Sequence, residues 1–231
     1  MDFKTQRAWQ TPEVTSQHRM PAHVPLSSWR SAVAAKHDLP SDSVLSLDGQ
    51  WQFELFDSPH AVPAQWPKDA TSIQTIAVPG HWQLQGCDRP IYTNVRYPFP
   101  CDPPRVPETN PTGCYQHQFT LDAQQLQQQV RVVFGGVDSA FHLWCNGEWI
   151  GYSQDSRLSA EFDLTDALRA GTNTLKLVVL RFCDGSYLED QDMWNLSGIF
   201  RDVSVIALPL EVSIADINWE SAYFFLSSQS C

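Results

Sequence analysis

The 231-residue sequence has no run of Lys or Arg, and its 15 basic residues are outnumbered by 26 acidic ones, for a net charge of −11. Nothing in it would neutralise a phosphate backbone or dock on an anionic bilayer, so nucleic acid and membrane are excluded as expected partners. No apolar stretch reaches the ~20 residues that a membrane span needs, and the opening MDFKTQRAWQ lacks the apolar core of a signal peptide. A cytoplasmic protein is expected. The cysteines Cys87, Cys101, Cys114, Cys145, Cys183 and Cys231 fall at irregular intervals, with neither a CxxC pair nor a Cys/His cluster spaced for zinc. Free thiols are expected, with Cys145 and Cys183 on buried strands. Glycine is scarce, at 11 residues against 16 prolines and 9 tryptophans, which describes an aromatic β core joined by stiff connectors. No internal repeat or low-complexity segment is evident.

Residues 1–45 carry neither a period of 2 nor one of 3.6, and Pro12, Pro21, Pro25 and Pro40 interrupt any long helix. This predicts an extended arm, packed on its own domain or a neighbouring subunit, because Trp9 and Trp29 do not suit a disordered tail. From SLDGQWQFELF onward the pattern is β: Leu47, Trp51, Phe53 and Leu55 mark a strand, and Ser72 to Val78 repeats the signal. Eight prolines between Pro79 and Pro111 rule out a continuous strand and predict a long ordered loop region. Further strands are predicted at Cys114 to Leu121 and Val130 to Phe134, separated by a Gln-rich helical turn over 122–129. In FHLWC-NG-EWIGY, Asn146-Gly147 supplies the positive φ values of a type I′ hairpin turn. DLTDALRAG predicts one short helix with Thr165 as N-cap and Gly171 at its C-terminal end. LKLVVLRF and IFRDVSVIAL complete an antiparallel β-sandwich.

The segment DGSYLEDQDMWNLSGIFRDV, Asp184 to Val203, sets Glu189, Asp190, Asp192 and Trp194 between two strand-like runs. Carboxylate oxygens accept hydrogen bonds from hydroxyls or coordinate a cation, and an indole offers an apolar platform with one N–H donor. Saccharides need both. The same composition also suits a polar surface turn with a buried Trp anchor.

Read with IYTNVRYPF, NPTGCY and SAFHLWCNGEWIGYSQDSRLSAEFDL, this segment resembles the N-terminal sugar-binding domain of the lactose-operon type of β-galactosidase, in glycoside hydrolase family 2. The resemblance runs from about Arg7 to Asp216. It implies an all-β, antiparallel jelly-roll sandwich of the galactose-binding kind with an extended N-terminal arm. The implied organisation is an arm over 1–45, a jelly-roll sugar-binding domain over 46–209, and the start of a truncated immunoglobulin-like domain over 210–231. EVSIADI would open that last domain; after Asn218 the tail departs from the family pattern.

By the same resemblance, Asp192 matches the aspartate that contacts galactosyl hydroxyls and helps bind a sodium ion, and Asn94 matches the asparagine that contacts the sugar from this domain. Glu189 and Asp190 are expected to orient the loop through backbone or Arg partners, with Arg157 and Arg201 as candidates. Trp194 is either a stacking surface or a loop anchor. Gln154 and Asp184 match two ligands of a magnesium site that joins the arm to the sandwich, but Ala8 and Thr11 stand where the family carries Asp and Asn. That donor loss argues against tight magnesium binding.

A retaining glycosidase needs two carboxyl groups about 5–5.5 Å apart. The family places both in a later barrel domain, so no catalytic residue is expected in this chain, and the chain alone is predicted inactive. The expected function is the N-terminal portion of an enzyme that hydrolyses terminal β-D-galactosides such as lactose with retention. Its partners would be a galactoside and the remainder of the enzyme, in a family that forms tetramers. The alternatives are a non-catalytic carbohydrate-binding or complementation module, or a truncated inactive product.

Overall fold

The computed structural model describes residues 3–24, 27, 29, 31–69, 74–189 and 192–222. Its strands are β1 (Ser16–Gln17), β2 (Val44–Ser46), β3 (Gly49–Phe56), β4 (Gln74–Val78), β5 (Ile91–Thr93), β6 (Thr112–Thr120), β7 (Gln129–Phe134), β8 (Val137–Asp138), β9 (Ala140–Cys145), β10 (Glu148–Gln154), β11 (Ala160–Asp163), β12 (Thr172–Leu180), β13 (Met193–Asn195), β14 (Gly198–Ile199) and β15 (Val203–Leu208). A seven-stranded sheet in the order β1-β10-β9-β12-β6-β3-β4 packs on a four-stranded sheet in the order β11-β7-β15-β2. Every strand pair is antiparallel. Two short two-stranded ribbons, β13-β5 and β14-β8, complete the strand pairing. No helix among the described residues is long and apolar enough to cross a membrane.

Period-2 alternation fills the space between the sheets. Trp51 and Phe53 of β3, Tyr115 of β6, Leu143 of β9 and Leu177 of β12 meet Val132 and Phe134 of β7, Phe162 of β11 and Val205 of β15, all buried. The opposite face of the larger sheet is buried as well. There Trp144, Tyr152, Val178 and Leu180 are covered by Phe3, Ala8 and Trp9 of the arm and by Trp66, Phe99 and Phe182. The arm therefore packs on its own domain. It is less uniformly extended than its sequence predicts: Phe3–Gln6 and Ala8–Gln10 form helical turns, and Ala32–Lys36 forms a short helix capped by Ser31, whose side chain accepts from the Ala34 N–H at 3.1 Å.

The hairpin at Asn146-Gly147 has the positive φ values its sequence demands, 52° and 83°. The helix predicted over DLTDALRAG shrinks to one 3-10 turn, Thr165–Ala167. Asp163, not Thr165, receives the turn's N–H, at 2.9 Å. Asn173 binds both the N–H and the carbonyl of Arg169, which draws the chain back into β12 before a second turn can form. Cys145 lies on β9, whereas buried Cys183 follows the end of β12; the five cysteines among the described residues are free. Residues 210–222 carry no strand, so EVSIADI lies unpaired among the described residues, with Val212, Ile214 and Ile217 exposed. The tail from 223 onward lies outside the described residues.

Candidate functional site

The two residues singled out for sugar contact, Asn94 just after β5 and Asp192 just before β13, flank the ribbon of those two strands. Its register pairs Met193 with Thr93, Trp194 with Tyr92, and Asn195 with Ile91. Asn94 and Asp192 lie one residue beyond the paired positions, each in a bend, and both are exposed. Tyr92 and Trp194, directly paired, share one face of the ribbon. The Tyr92 hydroxyl donates to Asp192 Oδ1 at 2.5 Å, a diagonal contact across the ribbon. That hydrogen bond to a carboxylate holds the Tyr92 phenol above its ordinary pKa. The Tyr92 and Trp194 rings lie 5.5 Å apart at 51°. Trp194 is 58% exposed, so it presents a surface and does not serve as a buried anchor. Tyr92, which binds the Asp192 carboxylate, was missed in the sequence although it stands two positions before Asn94.

Beside the ribbon lies a small polar cleft lined by Asp138, Arg157, Arg181, Ser186, Glu189 and Asn195, with Trp194 at its border as well. Glu189, at the end of the helical turn Ser186–Glu189, accepts from the N–H and the hydroxyl of Ser156, so it braces the loop against the end of β10. Asp190 lies outside the described residues. The two expected Arg partners go elsewhere. Arg157 pairs with Asp138 at 3.3 Å and reaches Met193 Sδ at 3.4 Å, whereas Arg201 donates to the carbonyls of Gly135 and Arg157. Their guanidinium carbons lie 5.2 and 5.1 Å from the Phe200 ring centre. The reason is Asp138, which had no sequence signal: β8 places it in the cleft, where it claims Arg157. Burial pushes its carboxyl up to about 7, against the pull of Arg157, and the charge of Glu189 adds to the rise. Arg181, 3% exposed, binds Asp88 and the side chain and carbonyl of Asn195, tying the ribbon to the end of β12.

A second polar group lies where the arm meets the sandwich. The Asp184 N–H donates to the Trp9 carbonyl at 2.8 Å, and the Gln154 N–H to the Thr15 carbonyl at 3.1 Å. Burial raises the Asp184 carboxyl, against the Gln154 side chain and the Gly185 N–H, which favour its charged form. Gln154 Oε1 accepts from the Tyr152 hydroxyl at 2.8 Å, and Thr11 Oγ1 donates to the Arg7 carbonyl at 3.1 Å. Ala8, buried at 2% exposure, offers no ligand. Among the described residues no cluster of three His, Cys, Asp or Glu side chains could hold a metal.

An antiparallel sandwich that presents a carboxylate, an amide and an aromatic pair at one end has the donors, acceptors and platform of a carbohydrate-binding protein. The chain belongs to the family of glycosyl hydrolases family 2, sugar binding domain, whose profile matches residues 44–209. It is 57% identical over 215 residues to a β-galactosidase of Erwinia tasmaniensis, covering 92% of this chain and 21% of that one. It is 54% identical over 214 residues to a β-galactosidase of Yersinia enterocolitica, covering 92% and 20%. The chain thus spans about one fifth of the length of the curated relatives it matches. Among solved structures it is similar to a Bifidobacterium dentium β-glucuronidase complexed with coumarin-3-O-glucuronide, with a TM-score of 0.54 at 20% identity over 74% of this chain and 31% of that one. A β-glucuronidase of an uncultured Clostridium species gives 0.57 at 18% identity, over 74% and 30%. At such identities the likeness shows the fold alone.

Proposed function

We propose that this chain supplies one wall of the galactose pocket of a β-galactosidase that hydrolyses terminal β-D-galactosides, lactose among them, with retention. The carrying observation is the ribbon of β5 and β13, which has Asn94 just after one strand, Asp192 just before the other, and the Tyr92–Trp194 pair beside the Asp192 carboxylate that Tyr92 binds. A carboxylate accepts from neighbouring hydroxyls and an Asn amide both donates and accepts, so the pair matches the hydroxyl pattern of a sugar edge. The acid and the nucleophile belong, on this reading, to the remainder of such an enzyme. Jelly-roll connectivity, a cytoplasmic location suited to free thiols, and a tetrameric assembly are parts of the same proposal. Asp192, exposed and ionisable, suits a sodium ion shared with other parts of the enzyme, and its charge would offset the cation beside the sugar. The arm junction does not fit magnesium: one carboxylate, an amide oxygen engaged by Tyr152 and an apolar Ala8 leave too few hard oxygen donors.

The purified chain is expected to hydrolyse no chromogenic β-galactoside, and to bind galactose weakly in a calorimeter because a few hydroxyl contacts must offset the entropy of association. Mixed with a β-galactosidase that lacks its own N-terminal sugar-binding domain, it is expected to restore turnover, and its Asp192→Ala variant to restore much less. Equal restoration by both proteins would sink the wall reading. A dissociation constant for galactose below about 10 μM would instead identify a self-sufficient binding module.

A further inference from the structure

Asp192 stands one residue before β13, where no ladder pair is formed, and its side chain is exposed. An unpinned carboxylate in that position samples several rotamers, and each hydroxyl it is to bind must first select one. The hydrogen bond that the structure records on this carboxylate comes from Tyr92. Tyr92, half exposed, is held at two points. Its backbone lies in β5 opposite Trp194, and its ring packs 5.5 Å from the Trp194 ring. The phenol reaches diagonally along the shared face and engages Oδ1.

We infer that Tyr92 is a positioning residue, whose hydroxyl locks the Asp192 carboxylate with Oδ1 occupied and Oδ2 turned toward the hydroxyls of a pyranoside lying against the Tyr92–Trp194 pair. The inference rests on the galactoside reading of the site and deepens it. Tyr92 does not act on the reacting bond; it orders the group that holds the sugar. A phenol suits the task because its reach and rigidity put one donor at a fixed distance from the ribbon with only two side-chain torsions to restrain. The pairing with Trp194 makes Tyr92→Phe a clean probe, since the variant keeps the ring and removes the hydroxyl.

The test is nuclear magnetic resonance on the 231-residue chain at fixed pH, wild type against Tyr92→Phe, each titrated with methyl β-D-galactoside. Both proteins should keep a dispersed amide spectrum and the Trp194 indole signal. The Hα–Hβ couplings of Asp192 should report one rotamer in the wild type and an average in the variant, which a merely structural role for Tyr92 would leave untouched. The galactoside dissociation constant should rise roughly threefold to tenfold in the variant. Couplings unchanged by the substitution overturn the positioning role whatever the sugar does. Averaged couplings with an unchanged sugar affinity overturn the claim that orientation governs binding. If wild-type Asp192 and Trp194 signals do not move with about 100 mM galactoside, the sugar reading itself is overturned, while the couplings still decide the Tyr92 contact.

Discussion

At Gly113 the larger sheet leaves no room for a side chain. A Cβ there would lie 2.8 Å from the Phe53 ring and 2.8 Å from the Trp82 ring, and both rings are fully buried. Neither neighbour can retreat, so Gly113→Ala should lower stability by about 1–3 kcal/mol through overpacking, seen as a lower urea midpoint with an unchanged slope. The effect should reach the site, because the Trp82 indole faces the Asp88 carboxylate, at 3.5 Å, that pairs with Arg181. Legibility at this scale was uneven. Asp192 and Asn94 were named from a family resemblance, and they stand one residue beyond the paired strands of the same ribbon. Tyr92 carried a usable signal, its period-2 spacing from Asn94, but IYT is too short for a strand to be read with any force. Asp138 carried none, since its partners Arg157 and Arg181 reach it only through the sheet.

The ribbon of β5 and β13 has three residues in each strand, and an isolated two-stranded pair of that size does not hold its shape alone. Its rigidity is imported from the sandwich through Arg181, which bridges Asp88 and Asn195. Burial lowers the pKa of this guanidinium, and Asp88 counters the fall. Removing the counter-charge should therefore be more harmful than removing the pair. Asp88 has φ 71°, a conformation that Asn tolerates and Ala resists, so Asp88→Asn is the proper probe. It should cost about 2–4 kcal/mol, and adding Arg181→Met should recover part of that loss. Denaturant unfolding of the two variants measures the cycle, and faster amide exchange confined to β13 in Asp88→Asn would show the ribbon loosening first. The sandwich was legible because alternation and the Asn146-Gly147 turn are local properties. The helix after β11 was misread because Asp163 and Asn173, each satisfying backbone groups, compete with helical hydrogen bonding.

Across the whole molecule, a buried histidine and a partly buried carboxylate pull the pH dependence of stability in opposite directions. His142 sits on the arm-covered face among Phe3, Trp9, Trp144, Trp149 and Tyr152, and burial lowers its pKa from 6.5 to about 3. Between those values the unfolded chain takes up a proton that the folded chain refuses, so stability falls as pH falls from 6.5 toward 3. Asp138 behaves inversely, its carboxyl moving from 3.8 to about 7. Here the folded chain keeps a proton the unfolded chain has lost, so stability falls as pH rises from 3.8 toward 7. One proton each way gives slopes of about 1.4 kcal/mol per pH unit with opposite signs, which cancel over the shared window from 3.8 to 6.5. Each substitution should therefore unmask the other group. Relative to the wild type, Asp138→Asn should gain stability steadily as pH rises through that window, and His142→Leu should gain it as pH falls. The double variant should again run parallel to the wild type, because Asp138 on β8 faces Arg157 and Glu189 whereas His142 on β9 lies among the aromatic rings under the arm, and effects at sites with different neighbours should add. Unfolding free energies at pH 4, 5, 6 and 7 decide it: two single variants whose difference from the wild type stays constant with pH would show that neither group changes its protonation on folding.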